Sequence, residues 1–276
     1  MRRTFPLKKL LDYVGLPRST YCCRVSHPKR DGLAAEREMI KAVFDSAKGA
    51  YGYRRVALAL ERDYGVHLNR KTVAKVMRQE GPIARGRRKR GCCSHKGAVG
   101  KVAANVLARD LSASRPMEKL VSDATRFNVG GAKVYLSPLI DLYNGEVVAW
   151  RSGRSPSVDF VLGMLADAEG RLAGSGAVVH TDQGFQYQNQ RWARMLSGYG
   201  CTQSMSRKGN CLDNACAESF FGHLKREFSD GSDFSQPGRF IRALDEWIAW
   251  YNTGRTKESL CGMAPVEYRL AHERPT

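Results

Sequence analysis

The sequence predicts an α/β protein in which a mixed sheet with flanking helices, over residues 117–276, follows a small all-α region over residues 1–82. Three observations lead to this class. Strand-like and helical segments alternate after residue 117, whereas only helical segments precede residue 82. Residues 1–100 carry 24 Lys and Arg against 8 Asp and Glu, while the remainder carries 21 against 19. A chain of 276 residues with 42% hydrophobic content can form two packed domains.

The first three helical segments are short and lie before residue 50. They read LKKLLDYVG, STYCCRV and LAAEREMIKAVFDSAKG, and the last of them ends at Gly49. Two further segments, RRVALALERDYG and RKTVAKVMRQEG, have sharper apolar spacing. Gly65 closes the first and Asn69 can cap the second, so a tight turn joins them.

The second helix of this pair carries a basic face. Lys71, Lys75 and Arg78 recur at the spacing of one helical face and lie apart from the apolar stripe. Two short helices around a tight turn, the second basic on its outer side, describe a helix-turn-helix whose second helix enters the DNA major groove. We expect DNA contacts here from Arg70, Lys71, Lys75 and Arg78. A merely solvated lysine face is the alternative.

A strongly basic segment follows, with five Lys and Arg between residues 85 and 90 and almost no apolar periodicity. We interpret residues 83–116 as a linker, and we expect its basic run to follow a phosphate backbone. The DNA contacts expected within it are Arg87, Arg88, Lys89 and Arg90.

The part beyond residue 117 begins with three segments typical of strands. KLVSDATRFNV and AKVYLSPLIDLYN come first, and Asn144-Gly145 joins the second of them to EVVAWRSG as a tight hairpin turn. The segments that follow alternate between helix and strand: VDFVLGMLADAEGRLAG, GAVVHTD, NQRWARMLSGYG, TQSMS, DNACAESFFGHLKREF and a final helix GRFIRALDEWIAWYN. This order resembles the ribonuclease-H-like fold, a mixed sheet with helices on both faces.

Three carboxylates occupy positions where an unpaired charge is costly. Asp123 lies mid-strand, Asp182 closes the apolar run AVVHTD at the mouth of the next strand, and Glu218 lies on what looks like the buried side of the long helix. Metal-assisted phosphoryl transfer needs hard oxygen ligands gathered from separate elements, and such carboxylates supply them. Each has an ordinary alternative: a satisfied core aspartate, a strand-end turn former and a salt-bridge partner of Lys225.

Five motifs in order make the chain resemble a known family. They are YGYRR at 51–55, Asp123-Ala124-Thr125, HTDQGFQY at 180–187, SMSRKGNCLDNACAESFFGHLK at 204–225 and YNTGRTKESLCGMAP at 251–265. Over roughly residues 50–270 the chain resembles the catalytic reading-frame product of bacterial insertion-sequence transposases of the two-reading-frame class, whose core is similar to retroviral integrase.

This resemblance implies a catalytic triad of Asp123, Asp182 and Glu218 that holds two Mg²⁺ or Mn²⁺ ions in each active site. Such an enzyme cuts transposon ends and joins the resulting 3′-hydroxyl to target DNA, so DNA recombination and integration are the implied activities. Residues implied to contact DNA are Lys208, Asn210, Asn214, Lys225, Arg255 and Lys257. His180 could orient the second aspartate or make a simple hydrogen bond.

The implied partners are DNA, both terminal inverted repeats and target, and further copies of the chain in a homo-oligomer. The product of an upstream reading frame, fused in front by ribosomal frameshifting, is a further implied partner. Two positions depart from the family pattern. Leu120-Val121 stands where a Trp usually precedes the first aspartate, and Lys257 stands where the tail motif usually has His.

Other functions and compartments fit parts of the pattern less well. A non-catalytic helix-turn-helix DNA-binding regulator would not need the intact triad, and a structure-specific nuclease would cut DNA without joining it. A membrane protein is not expected, since no stretch approaches about 18 unbroken apolar residues. The eight cysteines form no CxxC pair, which favours reduced thiols in a bacterial cytoplasm over a zinc site.

Overall fold

The structure is a computed structural model that describes residues 6–27, 32–81, 102–207, 214–229 and 234–273. Several of the expected DNA contacts lie outside the described residues. They are Arg87, Arg88, Lys89, Arg90, Lys208 and Asn210.

The helices of the N-terminal region coincide with the predicted helical segments. They are α1 (Leu7–Tyr13), α2 (Arg18–Ser26), α3 (Ala34–Ser46), α4 (Tyr53–Tyr64) and α5 (Arg70–Glu80). Gly65 ends α4 in the left-handed conformation, with φ 66°. The Asn69 side chain accepts a hydrogen bond of 2.9 Å from the Lys71 N–H at the start of α5. Both predicted caps are therefore confirmed.

Helices α3, α4 and α5 share one small hydrophobic core. Val56 and Leu60 of α4 and Val73 and Val76 of α5 lie in it, each at most 1% exposed. The apolar stripe predicted on each helix therefore faces the other helices, as in a helix-turn-helix. This packing leaves the opposite side of α5 to solvent.

A mixed sheet forms the second part of the molecule. Its described strands are β1 (Lys119–Ser122), β2 (Thr125–Val129), β3 (Ala132–Asp141), β4 (Val147–Gly153), β5 (Val178–Thr181) and β6 (Thr202–Met205). β1, β2 and β4 all pair antiparallel with β3. β5 is parallel to β1, and β6 is parallel to β5. The predicted order of strands is confirmed, except that the first predicted strand, KLVSDATRFNV, is divided into β1 and β2.

Helices cover both faces of the sheet. They are α6 (Val158–Asp167), α7 (Glu169–Leu172), α8 (Gln190–Gly198), α9 (Ala215–Leu224), α10 (Pro237–Thr253) and α11 (Pro265–His272). One core joins α9 and α10 to the sheet, and a second core joins α6, α7 and α8 to the opposite face. A π-helical turn, Lys225–Ser229, continues α9. Helix α11 lies beyond the last helix predicted from the sequence.

Leu120 and Val121 divide between the two cores. Adjacent strand residues point to opposite faces of a sheet. Val121 accordingly packs in the α9–α10 core and Leu120 in the α6–α8 core, both with no exposed surface. The two aliphatic residues that replace the usual Trp therefore fill both sides of the strand leading to Asp123.

The helical region contacts the sheet region through α10 and the segment after it. The Tyr51 hydroxyl accepts a hydrogen bond of 2.7 Å from the Thr256 N–H and lies 3.4 Å from the Gly254 carbonyl oxygen, to which it donates. Trp250 of α10 packs against the core of α3, α4 and α5. These contacts place the α4–α5 pair beside the C-terminal part of the chain.

The described half of the expected linker lies along the edge of the sheet. The Met205 N–H donates to the Ala104 carbonyl at 3.3 Å, and the Val106 N–H donates to Ser204 Oγ at 2.9 Å. Residues 102–107 therefore cover the free edge of β6, which would otherwise present unpaired backbone groups.

Two exclusions made from the sequence concern membranes and cysteines. None of the described helices is long and apolar enough to cross a bilayer. The cysteines that the structure describes are free thiols, namely Cys22, Cys23, Cys201, Cys216 and Cys261.

Candidate active site

Asp123 and Asp182 follow two neighbouring parallel strands. In the pairing of β1 with β5, Ser122 lies opposite Thr181, and each of these residues is followed by one of the aspartates. Open sheets bind ligands outside the carboxyl ends of their strands. The predicted position of Asp182, at the mouth of a strand, is confirmed, and the sheet brings Asp123 to the same end.

Asp123 lies in a break between two strands, so the prediction of a mid-strand aspartate is wrong. β1 and β2 pair with β3 in one continuous register, and Asp123 and Ala124 interrupt the ladder between them. The same register would place Asp123 opposite Pro138, which has no N–H to donate to a partner strand. Both aspartate side chains are half-buried.

Backbone and amide groups hold the two carboxylates. Asp123 Oδ1 accepts from the Ala124 N–H at 2.7 Å, and Asp123 Oδ2 accepts from Asn214 Nδ2 at 3.0 Å. Asp182 Oδ1 accepts from the Gly184 N–H at 2.8 Å. A Cβ atom at Gly184 would lie 2.9 Å from that same oxygen, so a larger residue here would require the Asp182 carboxylate to shift.

The charge in this site is poorly compensated by the protein. Burial, followed by the negative charge of Asp182, raises the pKa of Asp123 to about 7. Burial also raises the pKa of Asp182. Lys225 lowers the pKa of Asp123 by its positive charge, but that effect is smaller than the others. Within the described ranges, two like charges beside a weakly acting Lys225 favour an additional cation.

Glu218 lies near this pair but on the exposed side of α9. The prediction of a buried glutamate is wrong, since the buried face of α9 consists of Ala217, Phe220, Phe221 and Leu224. The charge of Glu218 nevertheless contributes to the raised pKa of Asp123. Water hydrates an exposed carboxylate, so Glu218 needs no ion pair with the protein.

The described side chains bring together two of the three predicted metal ligands. Within the described ranges, no group of three or more His, Cys, Asp and Glu is placed to hold a metal ion as it stands. One buried polar atom beside the pair does lack a partner among the described residues: Asn214 Oδ1. Asn214 is 6% exposed and already binds Asp123 through its other amide atom.

Two other residues of the predicted site have clear contacts. His180 is buried in β5, where its Nδ1 lies 2.8 Å from Ser204 Oγ, which accounts for the simple hydrogen-bonding alternative. The Lys225 amine lies 5.7 Å from the centre of the Phe127 ring on β2, a cation–π contact.

The residues expected to contact DNA fall into two groups. The side chains of α5 named in the sequence analysis, Arg70, Lys71, Lys75 and Arg78, are all exposed. Arg255, in contrast, is 4% exposed and bound to Glu227 through hydrogen bonds of 2.7 and 2.8 Å. The placement of Arg255 corrects its expected role, because that guanidinium is held inside the fold.

Lys257 closes the hairpin between β3 and β4. Its Nζ donates to the Asn144 carbonyl at 2.8 Å, and a Cβ atom at Gly145 would collide with that amine. Gly145 has φ 73° and sits in a loop between Asp141 and Val147 that is wider than the predicted two-residue turn. The Lys257 amine is therefore already hydrogen-bonded to the protein backbone in the absence of DNA.

Sequence reasoning missed Gly184 and the partners of Glu227. Gly184 lies inside the motif HTDQGFQY, and a glycine two residues after the aspartate that follows the strand is the signal that could have found it. Glu227 had no such signal, because its partners Arg55 and Arg255 come from distant segments. Arg55 Nη1 lies 3.0 Å from Glu227 Oε1.

Family models match three parts of the chain. An HTH-like domain matches residues 30–90, and two models of an integrase core domain match residues 113–211 and 199–265. Both aspartates lie within the first integrase match, and Glu218 lies within the second.

Two relatives match nearly all of the chain. InsK, assigned as the transposase of insertion sequence element IS150 of Escherichia coli strain K12, is 42% identical over 98% of this chain and 95% of its own length. A protein assigned as the transposase of element IS1353 of Shigella flexneri is 38% identical over 98% of this chain and 53% of its own length.

Among solved structures, the chain is similar to a simian T-cell lymphotropic virus intasome in complex with PP2A regulatory subunit B56 gamma. The TM-score is 0.50 at 14% identity, and the match covers 80% of this chain and 76% of that one. At this identity the likeness concerns the fold alone. Together with the mixed sheet and its flanking helices, it confirms the predicted ribonuclease-H-like fold.

Proposed function

This chain belongs to the family of insertion-sequence transposases with an integrase core domain, and on that premise we propose that Asp123, Asp182 and Glu218 hold two divalent cations, Mg²⁺ or Mn²⁺, in its active site. The enzyme is a polynucleotidyl transferase that acts on DNA. Its reaction is cleavage at the ends of an insertion sequence and transfer of the cut strand into target DNA.

One observation supports this assignment most directly. Two half-buried carboxylates lie at the carboxyl ends of adjacent parallel strands, and burial together with mutual repulsion raises the pKa of Asp123 to about 7. A structural aspartate pair would be expected to have a matching cation within the fold. The mismatch is typical of a site that receives its positive charge from outside.

The donor atoms fit a hard divalent cation. Carboxylate oxygens are the preferred ligands of Mg²⁺ and Mn²⁺, and both aspartates are fixed by hydrogen bonds through the oxygens named above. Asn214 offers a buried amide oxygen without a partner among the described residues, next to the same carboxylate. Glu218 is included for two reasons. Its charge contributes to the raised pKa of Asp123, and the family resemblance assigns it as a metal ligand.

The protein groups orient the acids and leave room for a ligand. The N–H groups of Ala124 and Gly184 each occupy one carboxylate oxygen, which fixes the direction of the remaining lone pairs. Asn214 acts as a positioning residue for Asp123. Bound divalent cations would neutralise charge on the attacking and leaving oxygens of an in-line phosphoryl transfer.

DNA binding is assigned to the exposed basic residues. We propose that α5 enters the major groove through Arg70, Lys71, Lys75 and Arg78, which form the exposed side of the helix-turn-helix. Lys225 is proposed to contact DNA near the aspartate pair. The remaining proposed contacts, Arg87, Arg88, Lys89, Arg90, Lys208 and Asn210, lie outside the described residues.

The assembly is proposed from the family resemblance. The active species is a homo-oligomer that pairs two DNA ends, with the product of an upstream reading frame fused in front by frameshifting. The domain division is proposed to follow the sequence analysis, with a helix-turn-helix region at 1–82 and a catalytic region at 117–276.

The test compares Asp182→Asn with Asp167→Asn, an exposed aspartate paired with Arg151 on the outside of α6. With labelled terminal repeats and Mn²⁺, Asp182→Asn should lower both cleavage and joining by more than about a hundredfold, because loss of metal-stabilised charge costs several kcal/mol. Asp167→Asn should retain activity.

Calorimetric titration with Mn²⁺ provides a readout that does not depend on activity. Asp182→Asn should weaken Mn²⁺ binding while leaving DNA binding intact. Cleaved products without joined products from the unmodified protein would indicate a nuclease. Full activity of Asp182→Asn would overturn the assignment of the site.

A further inference from the structure

A second concave site lies where the helical region meets the C-terminal segment. It is a cleft of about 390 Å³ formed by residues 52–55, residues 255–259 and His223. The first group belongs to the motif YGYRR and the second to the motif YNTGRTKESLCGMAP, so the fold brings together two motifs from distant parts of the chain. Neither motif contributes a carboxylate to the candidate active site.

The N-terminus of α4 opens into this cleft. Gly52 is the N-cap residue of this 12-residue helix and offers no side chain to the free N–H groups of the first turn. The first turn contains no acidic residue and carries Arg54 and Arg55 instead. A helix start with free N–H groups and the positive end of the helix dipole attracts anions.

A buried hydroxyl in the same wall supplies an independent indication of a ligand. Thr256 lines the cleft, and its side chain has no exposed surface. Its Oγ1 has no hydrogen-bond partner within the part of the chain that the structure describes. Buried hydroxyls are normally hydrogen-bonded, so Oγ1 is available to an oxygen atom of a bound molecule.

The charges around the cleft favour an anion. Four of the described lining residues are Lys or Arg, and one, Glu258, is acidic. Burial, followed by the charge of Arg255, lowers the pKa of Lys257 to about 8. Arg255 also lowers the pKa of Arg55, after burial. Glu227 compensates the charges of Arg55 and Arg255, so the cations of the cleft that a further negative group would neutralise are Arg54 and Lys257.

Glu258 already behaves as an anion bound to the helix-turn-helix. Its Oε1 lies 3.2 Å from Arg70 Nη1 at the start of α5, and its Oε2 lies 3.9 Å from Arg54 Nη1 at the start of α4. One exposed carboxylate thus bridges the first turns of both helices. Arg70 also belongs to the basic face of α5, so this point is continuous with the proposed DNA surface.

We propose that this cleft binds a phosphodiester group of the DNA backbone, which replaces Glu258 beside Arg54 and contacts Thr256 Oγ1 and the N-terminus of α4. This inference rests on the proposed transposase function. Its consequence is that one DNA phosphate contacts both the helix-turn-helix and the catalytic region. The two regions then bind the same duplex at a fixed position relative to each other.

The test measures binding of a fluorescent 20-base-pair duplex of unrelated sequence by the full chain at several salt concentrations. Arg54→Ala should weaken binding by about tenfold and reduce the slope of log affinity against log salt by about 1, since one phosphate contact is lost. Thr256→Val should weaken binding by about three- to tenfold without lowering thermal stability, because its hydroxyl has no partner among the described residues of the free protein. Glu258→Gln should strengthen binding.

The matched control is Arg115→Ala, which removes one exposed arginine at the opposite end of the sheet, where it contacts the Ser175 carbonyl. If Arg54→Ala and Thr256→Val behave like Arg115→Ala, the cleft does not bind DNA. Inorganic phosphate serves as the second probe. If it raises the thermal midpoint through Arg54 and Thr256 while duplex binding is unchanged, the site takes a free anion and the proposal is overturned. In either case, loss of cleavage in Asp182→Asn would leave the proposed function standing.

Discussion

Two groups of acids lie near the two ends of α9, one half-buried and one buried, and they are built in opposite ways. At the start of the helix, Asp123 and Asp182 face each other with little positive charge, and burial raises the pKa of both. After its end, Glu227 is buried against Arg55 and Arg255. Burial alone would raise the pKa of Glu227, but hydrogen bonds and charges from Arg255, His223 and Arg55 hold it well below its ordinary value.

This difference in compensating charge distinguishes an acid with a structural role from an acid that binds a ligand. Glu227 ties the helical region to the catalytic region through two guanidinium groups supplied by the fold. The aspartate pair has hydrogen bonds that orient it, yet among the described residues the compensating positive charge on Asp123 comes from Lys225 and is small. A buried acid is therefore a functional candidate when the protein provides orientation without compensation.

The largest effect on stability is expected at Glu227. Glu227→Gln should lower the free energy of unfolding by about 3–5 kcal/mol, because it leaves two enclosed guanidinium groups without their counter-charge. Since the folded-state pKa lies below the ordinary value of 4.5, the stabilisation by Glu227 is fully present above pH 4.5 and is lost as the pH falls below it. Denaturant unfolding at pH 7 and at pH 4 measures both effects.

The matched control for Glu227→Gln is Glu273→Gln, the same change in an exposed pair with Arg269. That pair should contribute less than about 0.5 kcal/mol. Equal losses in the two variants would mean that Glu227 does not hold the regions together as the contacts indicate.

Removal of the Asp123 charge should have the opposite effect and raise the free energy of unfolding, in protein freed of divalent ions. Its pKa rises from 3.8 in the unfolded chain to about 7 in the fold, so the fold favours the protonated form. That contribution is complete below pH 3.8 and disappears as the pH rises through 7. Asp123→Asn should therefore raise the free energy of unfolding by about 1–3 kcal/mol at pH 8 relative to the unmodified protein, and by much less at pH 4.

Asp167→Asn is the control for that series, since it removes an exposed carboxylate that is paired with Arg151. It should change stability by less than about 1 kcal/mol at either pH. A destabilised Asp123→Asn at pH 8 would show that the fold compensates this charge after all, and the contrast with Glu227 would disappear.

The smallest effect on stability is expected at Gly184. In Gly184→Ala the new Cβ would lie 2.9 Å from Asp182 Oδ1 and 2.8 Å from Gln186 Nε2, so the carboxylate must turn. Mn²⁺ affinity should fall by about tenfold, as for changes to groups that orient metal ligands, while stability changes by about 1 kcal/mol or less.

Gly170→Ala is the matched control, because a Cβ there meets no heavy atom within 4 Å among the described residues. It should leave Mn²⁺ binding unchanged. If Gly184→Ala also binds Mn²⁺ normally, the orientation of Asp182 does not depend on the close backbone approach.

Local sequence patterns predicted most of the fold. The apolar spacing in α4 and α5, with Gly65 and Asn69 as caps, is a property of neighbouring residues and could be recognised without coordinates. The alternation after residue 117 predicted a mixed sheet for the same reason. Asp182 was placed correctly because it closes the run AVVHTD, whose first residues are apolar.

The errors concern properties that depend on distant segments. Glu218 was expected on a buried face, but the aromatic side chains of α9 occupy that face. Arg255 was expected on DNA, but Glu227 and Arg55 enclose it. Asp123 was expected inside a strand, but it lies in a break between two strands. The register that would place it opposite Pro138 of β3 depends on strand pairing and cannot be recognised from its sequence neighbours.

Residue type and short-range spacing were enough to predict the class of the protein, its basic N-terminal region and the identity of the acids. Which acids are neutralised by other described residues depends instead on the folded arrangement of the chain. That distinction depends on charges brought from distant segments into a few ångströms of each carboxylate, and electrostatic energies at such distances are set by packing and solvent exclusion. Glu227 therefore stabilises the fold, and the aspartate pair is available to bind divalent cations.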